Sequence, residues 1–141
     1  MSVDLSSIPT YVAGWHDAAA VSKMPYRKLG SRLVSQLTFG ASAFGGAFGN
    51  PGGVEDAKAI LHKAVRSGIN LIDVAPWYGH GKAESVLGEA LKGIPREAYY
   101  LTTKCVTAPP PRTVHTHQQQ PPPTFRLVLS AGCMSSTASI V

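Results

Sequence analysis

Apolar and polar positions alternate along residues 24–104 in two distinct rhythms. Ala57, Ile60, Leu61, Ala64 and Val65 recur at i, i+3, i+4, i+7 and i+8, the stripe of an amphipathic helix over about 55–67. Glu55 and Asp56 stand where a helix start favours acids, and Gly68 follows as a stop. Ala83, Val86, Leu87, Ala90 and Leu91 repeat the spacing, and Gly93 closes that helix. Short apolar runs bracket the two. Thr38–Ala41, Ile69–Ile72 and Tyr99–Thr103 read as buried strands, the second ending at Asp73 and the third at Lys104. Ahead of them, Tyr26–Leu29 and Leu33–Leu37 predict a hairpin around Gly30-Ser31. Strands alternating with helices predict βαβ units and three parallel strands.

The flanks differ. Residues 1–23 show no sustained period and read as a loose leader. Residues 105–141 hold Pro109–Pro111, Gln118–Gln120 and Pro121–Pro123, with no acid after Glu97 and no lysine after Lys104. Proline runs remove backbone donors, so this stretch reads as a Pro/Gln-rich, disordered tail in which only Phe125–Leu129 forms a short strand.

Composition narrows the function classes. A net charge of +5 comes from scattered basic residues with no run and no aromatic interleaving, which argues against nucleic acid. No apolar run reaches the ~18 residues of a membrane span, and residues 1–23 lack a secretory pattern. Two cysteines, Cys105 and Cys133, make no disulfide framework, so a reduced, cytoplasmic setting is the default.

In parallel α/β folds the working groups gather at the carboxyl ends of strands. Asp73 and Lys104 each stand at such an end, and Tyr78 lies on the loop leaving the first of these strands. If the strands are neighbours, about 4.8 Å apart, the three side chains converge. A phenol is a weak acid with a reference pKa near 10. An ammonium beside it favours the phenolate, and a carboxylate keeps that ammonium charged and oriented. Such a phenol passes a proton to a carbonyl oxygen as hydride reaches carbon, or the reverse. On spacing alone, an ion pair at a strand rim with an incidental tyrosine is an equal alternative.

Gly68-Ile69-Asn70-Leu71-Ile72-Asp73-Val74-Ala75-Pro76-Trp77-Tyr78-Gly79 resembles the Gly-x4-Asp-x-Ala-x2-Tyr-Gly signature of the aldo-keto reductases. Glu84-x-x-Leu87-Gly88-x-Ala90-Leu91 and the strand Leu101-Thr102-Thr103-Lys104 agree with the same family, as do Met24–Gly30 and Leu37–Ser42. The wording is nearest its L-galactose dehydrogenase branch. The resemblance implies an NAD- or NADP-dependent oxidoreductase of a small-molecule carbonyl or sugar, on a (β/α)8 barrel. It makes Asp73, Tyr78 and Lys104 three of four catalytic residues, and it puts Gly40, Ala41, Ser42 and Asp73 against the nicotinamide. The family's fourth member, a histidine, has no counterpart: His115 and His117 lie in a proline-flanked stretch. The expected fold class is therefore a partial (β/α)8 barrel, a hairpin plus about three βα elements. The competing expectation is a non-catalytic product: a truncated isoform, a misread gene, or a fragment that binds another subunit.

Other motifs are weaker. The glycines from Gly40 to Gly53 contain no G-x-G-x-x-G and read as a flexible loop. His115-x-His117 with the cysteines fits no zinc spacing, so no metal is expected. His80 stands near Tyr78 and reads first as a polar loop residue, and His62 as solvated helix surface.

Overall fold

The structure is a computed structural model that describes residues 4–46, 52–106 and 125–130. Strand β1 (Tyr26–Leu29) pairs antiparallel with β2 (Arg32–Ser35) around Gly30, whose φ of 58° is open to glycine without strain. Then β3 (Thr38–Gly40), β4 (Leu71–Asp73) and β5 (Tyr100–Val106) run parallel and adjacent. A sixth strand, β6 (Phe125–Ser130), closes the order β3-β4-β5-β6, antiparallel to β5.

Two helices make the crossovers, α2 (Val54–Arg66) and α3 (Lys82–Ala90), after a short α1 (Ala18–Val21) in the leader. Glu55 and Asp56 in the first turn of α2, and Lys63 and Arg66 in the last, complement its dipole. Asp56 Oδ2 also accepts from the free Gly53 N–H at 3.0 Å. Both helices pack against the sheet, and Ala57, Leu61, Val65, Ile72, Val74, Ala83, Leu87 and Ala90 form the centre of the core.

Several expectations shift. Ile60 belongs to the apolar stripe of α2, yet it is 54% exposed: the stripe is wider than the surface that covers it. Strand β4 begins at Leu71 rather than Ile69, and β5 runs two residues beyond Lys104. The reading of residues 1–23 as loose does not fit their described part. Asp17 caps α1, its N–H donates to Arg66 O at 2.9 Å, and Ile8, Thr10 and Val21 are buried. Single anchoring side chains, not a periodic face, hold this segment. The strand expected at Phe125–Leu129 is present as β6. The rest of the expected disorder, and the proline runs, lie outside the described residues.

Asn70 ties these parts together. It is 1% exposed at the entry to β4. Its Oδ1 accepts from Ser35 N–H at 2.7 Å, and its Nδ2 donates to Thr10 Oγ1 at 2.8 Å and to Leu33 O at 3.0 Å. Its carbonyl accepts from Tyr100 N–H at 2.7 Å. The side chain thus joins leader and hairpin to the entry of β4, and the main chain of the same residue ties on the start of β5.

Candidate active site

The register of the parallel strands places the site. Asp73 is paired with Thr102, and Val74 N–H donates to Thr102 O at 2.9 Å. Lys104 is two residues past Thr102, so its side chain leaves the same face of the sheet as that of Thr102. A lysine stem is long enough to reach back along that face to the end of β4. It does so: Nζ lies 2.7 Å from Asp73 Oδ1 and 2.8 Å from Oδ2, and donates to Val74 O at 3.3 Å.

Tyr78 closes the group from the following loop. Its N–H donates to Ala75 O at 3.0 Å and its carbonyl accepts from Ala83 N–H at 3.1 Å, the first turn of α3. Held at both ends, the residue turns its ring over the ion pair. Lys104 Nζ is 3.1 Å from Tyr78 Oη and 4.9 Å from the ring centre. The hydroxyl itself donates to Asp73 Oδ2 at 3.2 Å.

The pair is partly open, with 29% of the Lys104 side chain and 27% of that of Asp73 exposed. Burial alone would lower the pKa of Lys104. Hydrogen bonds and charge from Asp73 and Tyr78 outweigh it and hold the ammonium above the ordinary lysine value. The lysine is therefore a fixed cation between a carboxylate and a phenol.

Of the other residues singled out, Gly40 stands in register with Asp73 at the same sheet end, with open space where a Cβ would be. Ser42 is half-buried beside it, whereas the side chain of Ala41 is fully buried. The glycine-rich segment is not open throughout: Ala41–Gly45 coil into a 3-10 turn with Phe44 in the core. Its middle, residues 47–51, lies outside the described residues. His80 is exposed at φ 51°, its ring edge-on to Trp77 at 5.7 Å. His62 is partly exposed on α2, its Nε2 3.1 Å from Lys92 O just past the end of α3. Among the described residues no group of histidine, cysteine and acids gathers to hold a metal, and no helix is long and apolar enough to cross a membrane. His115, His117 and Cys133 lie outside them.

One contact escaped the sequence reading. Thr103 Oγ1 donates to Glu84 Oε1 at 3.3 Å, tying α3 to β5 one residue before Lys104. Glu84 stood in a matched motif, but its partner is set only by the packing of α3 on the sheet.

A carboxylate, a lysine and a tyrosine thus meet at the carboxyl end of neighbouring parallel strands, where the working groups of such folds collect. The pattern of the aldo/keto reductase family matches residues 36–122, and the chain belongs to that family. It is similar to L-galactose dehydrogenase of Arabidopsis thaliana, 42% identical over 89 residues that cover 60% of this chain and 28% of that protein. NADH-specific methylglyoxal reductase of Escherichia coli (strain K12) is 40% identical over 74 residues, 51% of this chain and 23% of that protein. A probable voltage-gated potassium channel subunit beta of Oryza sativa subsp. japonica is 38% identical over 73 residues, 50% of this chain and 21% of that protein. The chain spans about a quarter of the length of these curated relatives.

Proposed function

We propose that Asp73, Tyr78 and Lys104 are the proton-transfer part of an NAD(P)-dependent oxidoreductase of an aldose or another small carbonyl or alcohol, resembling L-galactose dehydrogenase. The observation that carries the reading is the position of Lys104 Nζ, 2.7 Å from a carboxylate oxygen and 3.1 Å from a phenol oxygen. As the phenol gives up its proton to a carbonyl oxygen, negative charge gathers on Tyr78 Oη. The adjacent ammonium stabilises that charge, and Asp73 keeps the ammonium in place. In the oxidative direction the same oxygen takes the proton of a substrate hydroxyl. The sheet is then an arc of a (β/α)8 barrel whose working end is the carboxyl end of β3, β4 and β5, and the protein acts in the cytoplasm.

A nicotinamide cofactor supplies the hydride acceptor or donor when bound. The residues at the rim fit a flat group on one side: Gly40 leaves its backbone uncovered in register with Asp73, and Ser42 offers a half-buried hydroxyl. Ala41 contributes only main chain, because its methyl is in the core.

A second reading, a non-catalytic piece that binds another subunit, draws on the relatives named as potassium channel β subunits. One experiment separates the two. Residues 36–104 replace the matching segment of the Arabidopsis L-galactose dehydrogenase, and sugar-dependent reduction of NAD or NADP is followed by absorbance. The oxidoreductase reading expects activity. A chimera that folds, by circular dichroism and a cooperative melt, but shows no activity contradicts it.

A further inference from the structure

The glycine-rich segment after β3 has no part in the proton-transfer reading so far, yet its described residues bring main chain close against that of Tyr78. Phe44 pins the Ala41–Gly45 turn into the core at 4% exposure, its ring 5.7 Å from that of Phe39. Gly46 then ends the turn with φ 85°. The turn lays the Gly45 backbone on the Tyr78–Gly79 peptide. A Cβ on Gly45 would stand 2.6 Å from Tyr78 C, 2.7 Å from Tyr78 O and 2.8 Å from Gly79 N. In return, a Cβ on Gly79 would stand 2.8 Å from Gly45 Cα and press on the Gly45 carbonyl.

Carbon atoms rest about 3.5–4.0 Å apart, so a methyl group here forces the two backbones apart by roughly 1 Å. Backbone atoms cannot swing aside as the tip of a side chain can. Gly79 is fixed as glycine twice over, since its φ is 66°. Gly88, on the exposed face of α3, makes no such demand: nothing lies within 4 Å of its Cβ position.

We propose that Gly45 and Gly79 are positioning residues, a backbone lock that sets the height of the Tyr78 ring over the Asp73–Lys104 pair. The inference rests on the reading of Tyr78 as proton donor and deepens it. The hydroxyl lies 3.1 Å from Lys104 Nζ, so a shift of the Tyr78 main chain by roughly 1 Å carries it beyond hydrogen-bond reach. The 41–46 turn is thus the template against which the donor is aimed, and its glycines are there to let main chain touch main chain.

The test follows Lys104, whose titration feels Tyr78 directly, by NMR of the full chain with 13Cε-labelled lysine. Lys104→Met identifies the signal, and Tyr78→Phe gives the shift that loss of the phenol produces. Gly45→Ala is expected to move the Lys104 midpoint downward by at least half of the Tyr78→Phe shift, while Gly88→Ala leaves it in place. If Gly45→Ala does not fold, Phe44→Leu loosens the turn without a clash and is expected to move the midpoint in the same direction by less. A folded Gly45→Ala, or failing that a folded Phe44→Leu, with the wild-type midpoint overturns the lock. The readout is the titration of Lys104 and not turnover, so it stands or falls separately from the assays that test Tyr78 as the donor.

Discussion

Replacing Asn70 with alanine removes three hydrogen bonds from the interior at once. Ser35 N–H, Leu33 O and Thr10 Oγ1 lose partners at 2.7, 3.0 and 2.8 Å, while the main-chain bonds of residue 70 to Ser35 Oγ and Tyr100 N–H remain. A buried polar group left without a partner costs about 1–3 kcal/mol. Water entering the vacated space recovers part of this for three neighbouring groups, so the expected loss is about 2–4 kcal/mol rather than the sum. Against a total of about 5–15 kcal/mol for a typical domain, that is a large share. Urea unfolding reads it as a midpoint lower by roughly 1–2 M at unchanged slope, for a slope of about 2 kcal/mol/M. Asn70→Asp is expected to be at least as damaging. It keeps an acceptor for Ser35 N–H, loses both donated bonds, and places a carboxylate where the residue is 1% exposed. A loss under about 0.5 kcal/mol for Asn70→Ala would refute the reasoning, and with it the view that this amide joins leader, hairpin and sheet.

At the site, Asp73→Asn is expected to lower the Lys104 titration midpoint, because it removes the hydrogen bonds and charge that outweigh burial; an unchanged midpoint in lysine NMR contradicts this. Tyr26, whose hydroxyl donates to Gly68 O at 2.9 Å, has its pKa pushed by burial up to about 12. An acid with a raised folded pKa gives stability that is complete below its unfolded value near 10 and is lost as pH rises towards 12. Urea midpoints should therefore fall over that alkaline range and fall less in Tyr26→Phe; a parallel fall in both proteins counts against it. The 141-residue chain alone, mixed with an aldose and NAD or NADP, is expected to show no turnover. Positioning of substrate and cofactor is worth roughly 7–11 kcal/mol, and this chain spans only 28% of the Arabidopsis relative. Turnover that disappears with Tyr78→Phe would show that these residues complete the site unaided.

What the sequence revealed follows from the range of the forces involved. Helix α2 was legible because Ala57, Leu61 and Val65 all face the core at helical spacing. Ile60 shares that spacing and is exposed, since periodicity records which side is apolar and not what lies opposite it. The start of β4 was misplaced because Asn70 turns its side chain to partners 35 to 60 residues away, which no local pattern contains. The buried anchors of the leader, Ile8, Thr10 and Val21, are likewise too widely spaced to form a period. Convergence of Asp73, Tyr78 and Lys104 was deduced from strand ends and required β4 and β5 to be neighbours; the pairing of Asp73 with Thr102 supplies that condition. The contact of Gly45 with Gly79 left no trace in the pattern beyond the glycines themselves.

The most direct test of the account is the contribution of one oxygen atom to turnover. In the chimera carrying residues 36–104 within the Arabidopsis L-galactose dehydrogenase, Tyr78→Phe removes Oη and leaves the ring over Lys104. General acid–base catalysis by a placed side chain is worth about 10²- to 10⁴-fold. The account predicts a fall in kcat of that size with KM for the sugar changed little. A Phe variant that keeps kcat within about tenfold of its parent would contradict it, and the proton would have to come from another group.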